Sequence, residues 1–257
     1  MKRVGVIGCG WLGSALLDQL SMLGYSTFGT FRSHPPLGQH TTYIWSGEAP
    51  LSDELKHALL LCDAVVVTVP PQRGLTDSEN IAYHKHLAHA LSTINDQMQV
   101  VYTSSTSAYG QREGACVEHA AEPTSRAYGI EKAYHMYFEN TTILRFGGLV
   151  GPQRQPAQFH KEGQSIAQPT AWVNMTHKAD AIAAIVHLIR LESYGIFNVV
   201  SPEHVSRRDF YTKAYERANL VMPQFTEDEA KGKRVLSDKI MQRLGFAFQY
   251  ANPLDML

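Results

Sequence analysis

An apolar run, Val4-Gly5-Val6-Ile7, leads directly into Gly8-Cys9-Gly10-Trp11-Leu12-Gly13, and a helical spacing of Leu12, Ala15, Leu16, Leu20 and Leu23 follows at once. Strand, glycine turn and helix in that order leave few folds open, because each glycine answers a separate geometric demand. Gly8 permits the tight turn. Gly10 lets a pyrophosphate come up against the backbone, and Gly13 lets helix and strand pack closely. The helix start then offers N–H groups and positive partial charge to a phosphate. The alternative is a tight turn that holds no ligand. The strand–helix context favours the dinucleotide reading, which places Gly8, Cys9, Gly10, Trp11 and Leu12 against the cofactor. Cys9 is there for its small side chain rather than its thiol.

The rest of the chain alternates in the same way. Residues 24–31 and 41–45 read as strands, 51–61 as a helix, and Asp63 to Val69 as a largely β-branched strand of the kind buried on both faces of a parallel sheet. Pro70-Pro71 ends it, and such strand ends line a cofactor crevice. A helix over 78–94, a strand from Gln99 to Thr103, a polar loop over 111–124 and a helix from Ser125 to Phe138 follow. Then come a strand from Thr142 with a glycine exit to Pro152, a helix over 180–191 and a strand over 194–200. This alternation predicts an α/β, Rossmann-like, doubly wound parallel sheet. Residues 1–150, with the returning helix and strand at 178–200, are expected to form the dinucleotide-binding core. Residues 151–177 and 201–257, which carry Arg207-Arg208 and helices ending near Leu220 and Leu244, are expected to form a small C-terminal substrate lobe.

The end of the second strand meets the adenosine ribose in such folds. An acid there binds the 2′-hydroxyl, and an arginine accommodates a 2′-phosphate. No Asp or Glu stands between Asp18 and Glu48, whereas Arg32-Ser33 lies at the strand end, ahead of a Pro35-Pro36 break. The expected cofactor is therefore NADP in preference to NAD, with Arg32, Ser33 and Pro70 at its rim.

Composition excludes several other classes. A net charge of −1 gives no basic footprint for nucleic acid, and no apolar run approaches the roughly 20 residues that cross a membrane. Cys9, Cys62 and Cys116 are odd in number and widely spaced, so they make neither a disulfide framework nor a zinc set. A reduced, cytoplasmic setting is expected, with Val4–Ile7 a core strand rather than a cleaved leader. His84, His86 and His89 crowd one helix, but the nearest carboxylates, Glu79 and Asp96, lie about two turns away. We read them as a solvated helix face and expect no metal.

Two further patterns carry chemistry. Thr103 to Ser107 is an unbroken hydroxyl run at a strand's carboxyl end, where capping and turn roles are the ordinary use of such residues. Tyr128 and Lys132 stand at i, i+4, which makes phenol and ammonium neighbours on one helical face. Such pairs also arise by accident on helix surfaces.

Together, the glycine turn, Ser104-Ser-x-x-x-Tyr109-Gly, Tyr128-x-x-x-Lys132, Leu144-Arg145 leading to Gly151-Pro152, His177-x-x-Asp180 and Phe197-Asn198-Val199 resemble the extended short-chain dehydrogenase/reductase family. Within it the chain is similar to the nucleotide-sugar epimerase/dehydratase group, and to the short bacterial members that begin Gly-x-Gly-Trp-Leu-Gly. It departs from the usual Thr-Gly-x-x-Gly-x-x-Gly turn, and it is short for the group.

The resemblance implies an enzyme that transfers hydride between NADP and a hydroxyl or carbonyl carbon of a sugar-like or nucleotide-sugar substrate. Ser105 would match the family's active-site hydroxyl, with Thr106 the spare. Tyr128 would exchange the proton, its pKa lowered from about 10 by the neighbouring ammonium. Lys132 would also hold the nicotinamide ribose, and Phe146 would line the nicotinamide pocket. Arg154 and the Arg207 region would meet an anionic or nucleotide-linked small-molecule substrate. Family members often pair as homodimers through helices corresponding to 78–94 and 125–138. Two other readings stand beside this one. The first is an NADP-holding redox sensor without turnover. The second is a dehydrogenase of the imine-reductase or pyrroline-carboxylate-reductase kind, which would continue into an all-helical second half where this chain returns to strands.

Overall fold

The structure is a computed structural model that describes residues 1–33, 40–161, 163–228 and 230–257. The Pro35-Pro36 break lies outside the described residues. The first half runs β1 (Arg3–Ile7), α1 (Trp11–Met22), β2 (Ser26–Phe31), β3 (Thr41–Ile44), α2 (Asp53–Leu60), β4 (Ala64–Val67), α3 (Asp77–Ser92) and β5 (Gln99–Ser105). It continues through β6 (Gly114–Cys116), α4 (Arg126–Tyr137), β7 (Thr141–Phe146), β8 (Gly148–Val150), β9 (Met175–His177) and α5 (Lys178–Leu191). The chain then forms β10 (Gly195–Val199), α6 (Arg207–Ala218), β11 (Lys233–Val235) and α7 (Asp238–Leu244).

Seven strands make one parallel sheet in the order β10-β7-β5-β4-β1-β2-β3. The chain builds outward from β1 through β2 to β3, crosses back through α2, and builds the other way from β4. This reversal opens a crevice at the carboxyl ends of β1 and β4. The register sets Val6 between Gly29 and Val66, and Ile7 between Thr30 and Val67. Val4, Val6, Val65, Val66, Val67, Val100 and Val101 are all fully buried, as strands covered on both faces require.

The chain divides into two compact units. The first holds residues 1–108, 123–144 and 185–196, and the second holds 109–122, 145–184 and 197–257. The core of the first joins Ile7, Val65, Leu87, Leu91, Ile130 and Tyr134. The second packs Val150, Ile166, Phe210, Tyr211, Tyr215 and Met256 together, with a smaller cluster of Tyr109, Cys116, Val200 and Val235.

Two stretches differ from expectation. The polar segment 111–124 contains β6, which pairs in parallel with β11 inside the basic Lys231–Arg234 stretch, Gly114 opposite Lys233 and Cys116 opposite Val235. Strands of three residues show no periodicity of their own, so only the pairing reveals them. His84 is not part of a solvated face. It is fully buried, while His86 and His89 are exposed. Its side chain points the way of Leu87, Ala88 and Leu91, three, four and seven residues on along one helical stripe. No helix among the described residues is long and apolar enough to cross a membrane.

Candidate active site

The glycine turn is stitched to the end of β2. Gly8 N–H donates to Thr30 Oγ1 at 3.1 Å and Cys9 N–H donates to Thr30 O at 2.8 Å. Gly8 has φ +93°, and a Cβ there would stand 2.7 Å from Val69 Cγ2. A Cβ on Gly13 would meet Thr68 Oγ1 at 2.6 Å and Gly8 O at 2.7 Å. Both glycines are thus demanded by the fold itself. Gly10 is different, because a Cβ there would meet no atom of the described residues within 4 Å. Gly10 is also the N-cap of α1 and supplies no side-chain cap. The helix therefore begins without a side-chain cap, next to open space. Cys9 is buried, its Sγ donates to Val6 O at 3.6 Å, and burial pushes its thiol up to about 12. It fills the turn and is held in the protonated form.

This turn forms one wall of a cavity of about 190 Å³, with Gly8, Cys9 and Gly10 on it, Arg32 at its rim, and Val69 and Pro70 beyond β4. The β3 side of the lining is Trp45, Ser46 and Gly47, with Tyr83 and Leu87 of α3. Two aromatic residues pin that side. Tyr83 Oη donates to Ser46 O at 2.6 Å, and Trp45 Nε1 donates to Ala49 O at 2.8 Å. Gly47 has φ +90°, and a Cβ there would stand 2.5 Å from Tyr83 Oη. Burial raises the Tyr83 phenol, and the Arg32 guanidinium pulls it the other way. Of the residues expected at the cofactor, Gly8, Cys9, Gly10, Arg32 and Pro70 line this cavity, whereas sequence reasoning carried no expectation for Trp45 to Gly47, Val69, Tyr83 and Leu87. A glycine two residues beyond a strand was the one signal available.

The remaining candidates are placed as follows. Trp11 is half-buried, Leu12 is buried and Ser33 is exposed, and these three lie outside the cavity lining. Phe146 is buried at the end of β7. Ser105 is the last residue of β5, exposed, with Oγ accepting the Ser107 N–H at 3.1 Å. Tyr128 and Lys132 do share a face of α4, the ammonium lying 6.0 Å from the centre of the phenol ring. The Ser125 hydroxyl caps this helix by accepting the Tyr128 N–H at 3.3 Å. Tyr102 of β5 stacks on Tyr134 of α4 at 4.5 Å, so the strand bearing Ser105 and the helix bearing Tyr128 are packed together.

Other marks of the resemblance turn out to be architectural. In the second unit, Arg145 Nη1 donates to Tyr109 Oη at 3.1 Å and to Glu118 O at 2.7 Å. Asn198 accepts from Tyr109, and its own N–H donates to Glu118 Oε1 at 2.9 Å. Asp180 accepts the N–H groups of Gln249 and Tyr250 at 2.8 and 3.1 Å, and His177 packs on the Tyr250 ring. Burial raises the Asp180 carboxyl while those two N–H groups hold it down. Arg154 is exposed, whereas Arg207 donates from Nε to Ala167 O at 2.8 Å and lies over Tyr211. No group of three or more His, Cys, Asp or Glu among the described residues is arranged to hold a metal.

No family model matches the chain. Protein YeeZ of Escherichia coli (strain K12) is 31% identical over 279 aligned positions, covering 100% of this chain and 99% of YeeZ. The chain belongs to the YeeZ family. Solved structures extend the likeness of this YeeZ relative at the level of fold. MoeE5 in complex with UDP-glucose and NAD has a TM-score of 0.76 at 19% identity, over 99% of this chain and 96% of that one. UDP-glucuronic acid 4-epimerase from Bacillus cereus, in complex with NAD, has a TM-score of 0.75 at 19% identity, over 99% and 95%.

Proposed function

We propose that this member of the YeeZ family is an NADP(H)-dependent oxidoreductase or epimerase acting at a hydroxyl-bearing carbon of a sugar-like or nucleotide-linked substrate. One observation carries the reading. The first unit contains both a phosphate cradle, in which Gly10 leaves room that the fold does not use, and the Tyr128–Lys132 pair on a single face of α4. Arg32 at the cavity rim, among lining residues that include no carboxylate, supports NADP over NAD. The fold shared with NAD-bound, nucleotide-sugar proteins supports the substrate class.

In this reading Gly8 to Gly10 and the start of α1 would hold the pyrophosphate of a dinucleotide and Arg32 its 2′-phosphate, and the dinucleotide would supply hydride-transfer chemistry when bound. Tyr128 exchanges a proton with the substrate hydroxyl. Lys132 would hold the nicotinamide ribose, and Ser105 Oγ hydrogen-bonds the reacting oxygen. The first unit serves the cofactor and the second the substrate. There, Arg234 lies 5.9 Å over the half-exposed Trp172 ring, a cationic and aromatic pair suited to a nucleotide. The outer faces of α3 and α4 pair two copies as a homodimer, which light scattering at micromolar concentration tests.

The test of the chemistry is a screen by NADPH oxidation, first with small carbonyl compounds and then with nucleotide sugars, repeated with Tyr128→Phe on the best substrate. Loss of that hydroxyl should lower the rate by about 10² to 10⁴ and leave NADPH affinity unchanged. A Tyr128→Phe enzyme as fast as wild type ends the assignment. Tight NADP binding with no turnover on any compound would favour the redox-sensor reading instead.

A further inference from the structure

Among the polar residues of the first unit that this mechanism does not use, Glu131 stands out. It is only 1% exposed, and Ser104, 7% exposed, donates from Oγ to Glu131 Oε1 at 2.6 Å. A carboxylate taken out of water costs several kcal/mol unless strong hydrogen bonds offset it, and a short O–H···O⁻ contact is of that kind. The sequence neighbours of the pair give the bond its interest. Ser104 precedes Ser105, and strand alternation turns one inward and the other outward. Glu131 precedes Lys132 and follows Tyr128 by three residues, so all three occupy one turn of α4.

We propose that Glu131 is a positioning residue which, through Ser104, holds the end of β5 in register with α4, and so holds Ser105 in register with Tyr128 and Lys132. The proposal rests on the reading of those three residues given above. Other contacts join the same elements less directionally. The Tyr102–Tyr134 stack, at 4.5 Å and 19°, tolerates lateral offset as ring stacks do. The bond from Ser125 Oγ to Ala108 O, at 3.2 Å, lies beyond the strand end. A hydrogen bond to a carboxylate has a preferred distance and direction, and it weakens as the two elements slide past one another. The charge of Glu131 is also felt in this packing, where it adds to burial in raising the Tyr102 phenol.

The test uses the full-length protein and needs no substrate for its first arm. Hydrogen exchange of the amides at 104–107 is followed in wild type, Glu131→Ala, Glu131→Gln, Ser104→Ala and the double variant Ser104→Ala/Glu131→Ala. Ile130→Ala serves as the control for core destabilisation. Exchange should rise about tenfold to a hundredfold in each single alanine variant, the size of one lost charged hydrogen bond. It should rise no further in the double variant and should rise only part of the way in Glu131→Gln, which keeps the acceptor oxygen without the charge. Ile130→Ala should lower the unfolding midpoint without this local rise.

The second arm uses any substrate whose turnover Tyr128→Phe abolishes. There Glu131→Ala and Ser104→Ala should lower kcat and leave KM and the NADPH Kd in place. Exchange at 104–107 that matches the Ile130→Ala control, or effects that simply add in the double variant, would overturn the proposal. A local rise together with a fully active Tyr128→Phe would overturn the catalytic reading instead, so the two failures are separable.

Discussion

The guanidinium of Arg145 donates to the Tyr109 hydroxyl at 3.1 Å, and that hydroxyl donates in turn to Asn198 Oδ1 at 2.5 Å. Arg145 and Asn198 are fully buried, so the chain of bonds satisfies polar groups that water does not reach. Burial raises the Tyr109 phenol to about 12 against the pull of Arg145, which keeps the hydroxyl protonated and able to donate. Tyr109→Phe should therefore cost about 1–3 kcal/mol of stability, the price of leaving buried partners unmet. NADPH affinity should stay as it is. Urea unfolding and a cofactor titration on the same samples check both halves. An unchanged unfolding midpoint would remove the structural role, and a lost affinity would bring Tyr109 into the cofactor site.

His84 sets a dependence on acid. Its Nδ1 pairs with the Tyr134 hydroxyl at 3.0 Å, and its buried Nε2 finds no hydrogen-bond partner among the described residues. Burial lowers the imidazole to about 3, against about 6.5 when the chain is unfolded. The unfolded state takes the proton first. The contribution is thus whole above about pH 6.5 and declines by about 1.4 kcal/mol per unit as pH falls toward 3. His84→Phe should lose about 1–3 kcal/mol at pH 8, because Tyr134 loses its partner, yet lose less than wild type on acidification. Unfolding curves at pH 8, 6 and 5 give the two slopes. Parallel decline in both proteins would assign the acid sensitivity to other groups.

Arg32 is exposed at the end of β2 and lines the cavity. A charge-assisted contact to a 2′-phosphate is worth about 1.5–3 kcal/mol, roughly tenfold to a hundredfold in affinity. NADP should bind more tightly than NAD by that factor, and Arg32→Ala should remove most of the difference. A wild-type protein that prefers NAD would refute the assignment.

How far the sequence could be read depended on whether a residue's job is local. Gly8, Gly13 and their helix are legible because turn, close packing and helix all lie within a dozen residues. Arg32, expected at the strand end because no acid stands between Asp18 and Glu48, does line the cavity. The far wall of the cavity was not legible. Tyr83 reaches Ser46 across 37 residues, from a helix whose three histidines look polar. The same histidines hid the burial of His84, since a step of one residue turns a helical side chain by about 100°. Tyr109, Arg145 and Asn198 could be recognised as marks of a resemblance. Their spacing gives no sign that they meet one another in a buried network.

Gly10 offers the most direct test of the central claim, that the glycine turn holds a dinucleotide. A Cβ at position 10 would meet no atom of the described residues within 4 Å, and its φ of −102° is negative. Gly10→Val should therefore fold with an unfolding midpoint close to wild type, while its branched side chain occupies the place of the pyrophosphate. NADPH is titrated against both proteins by calorimetry or nucleotide fluorescence. The account predicts binding by wild type and none by Gly10→Val at equal stability. Equal affinities in the two folded proteins would contradict it.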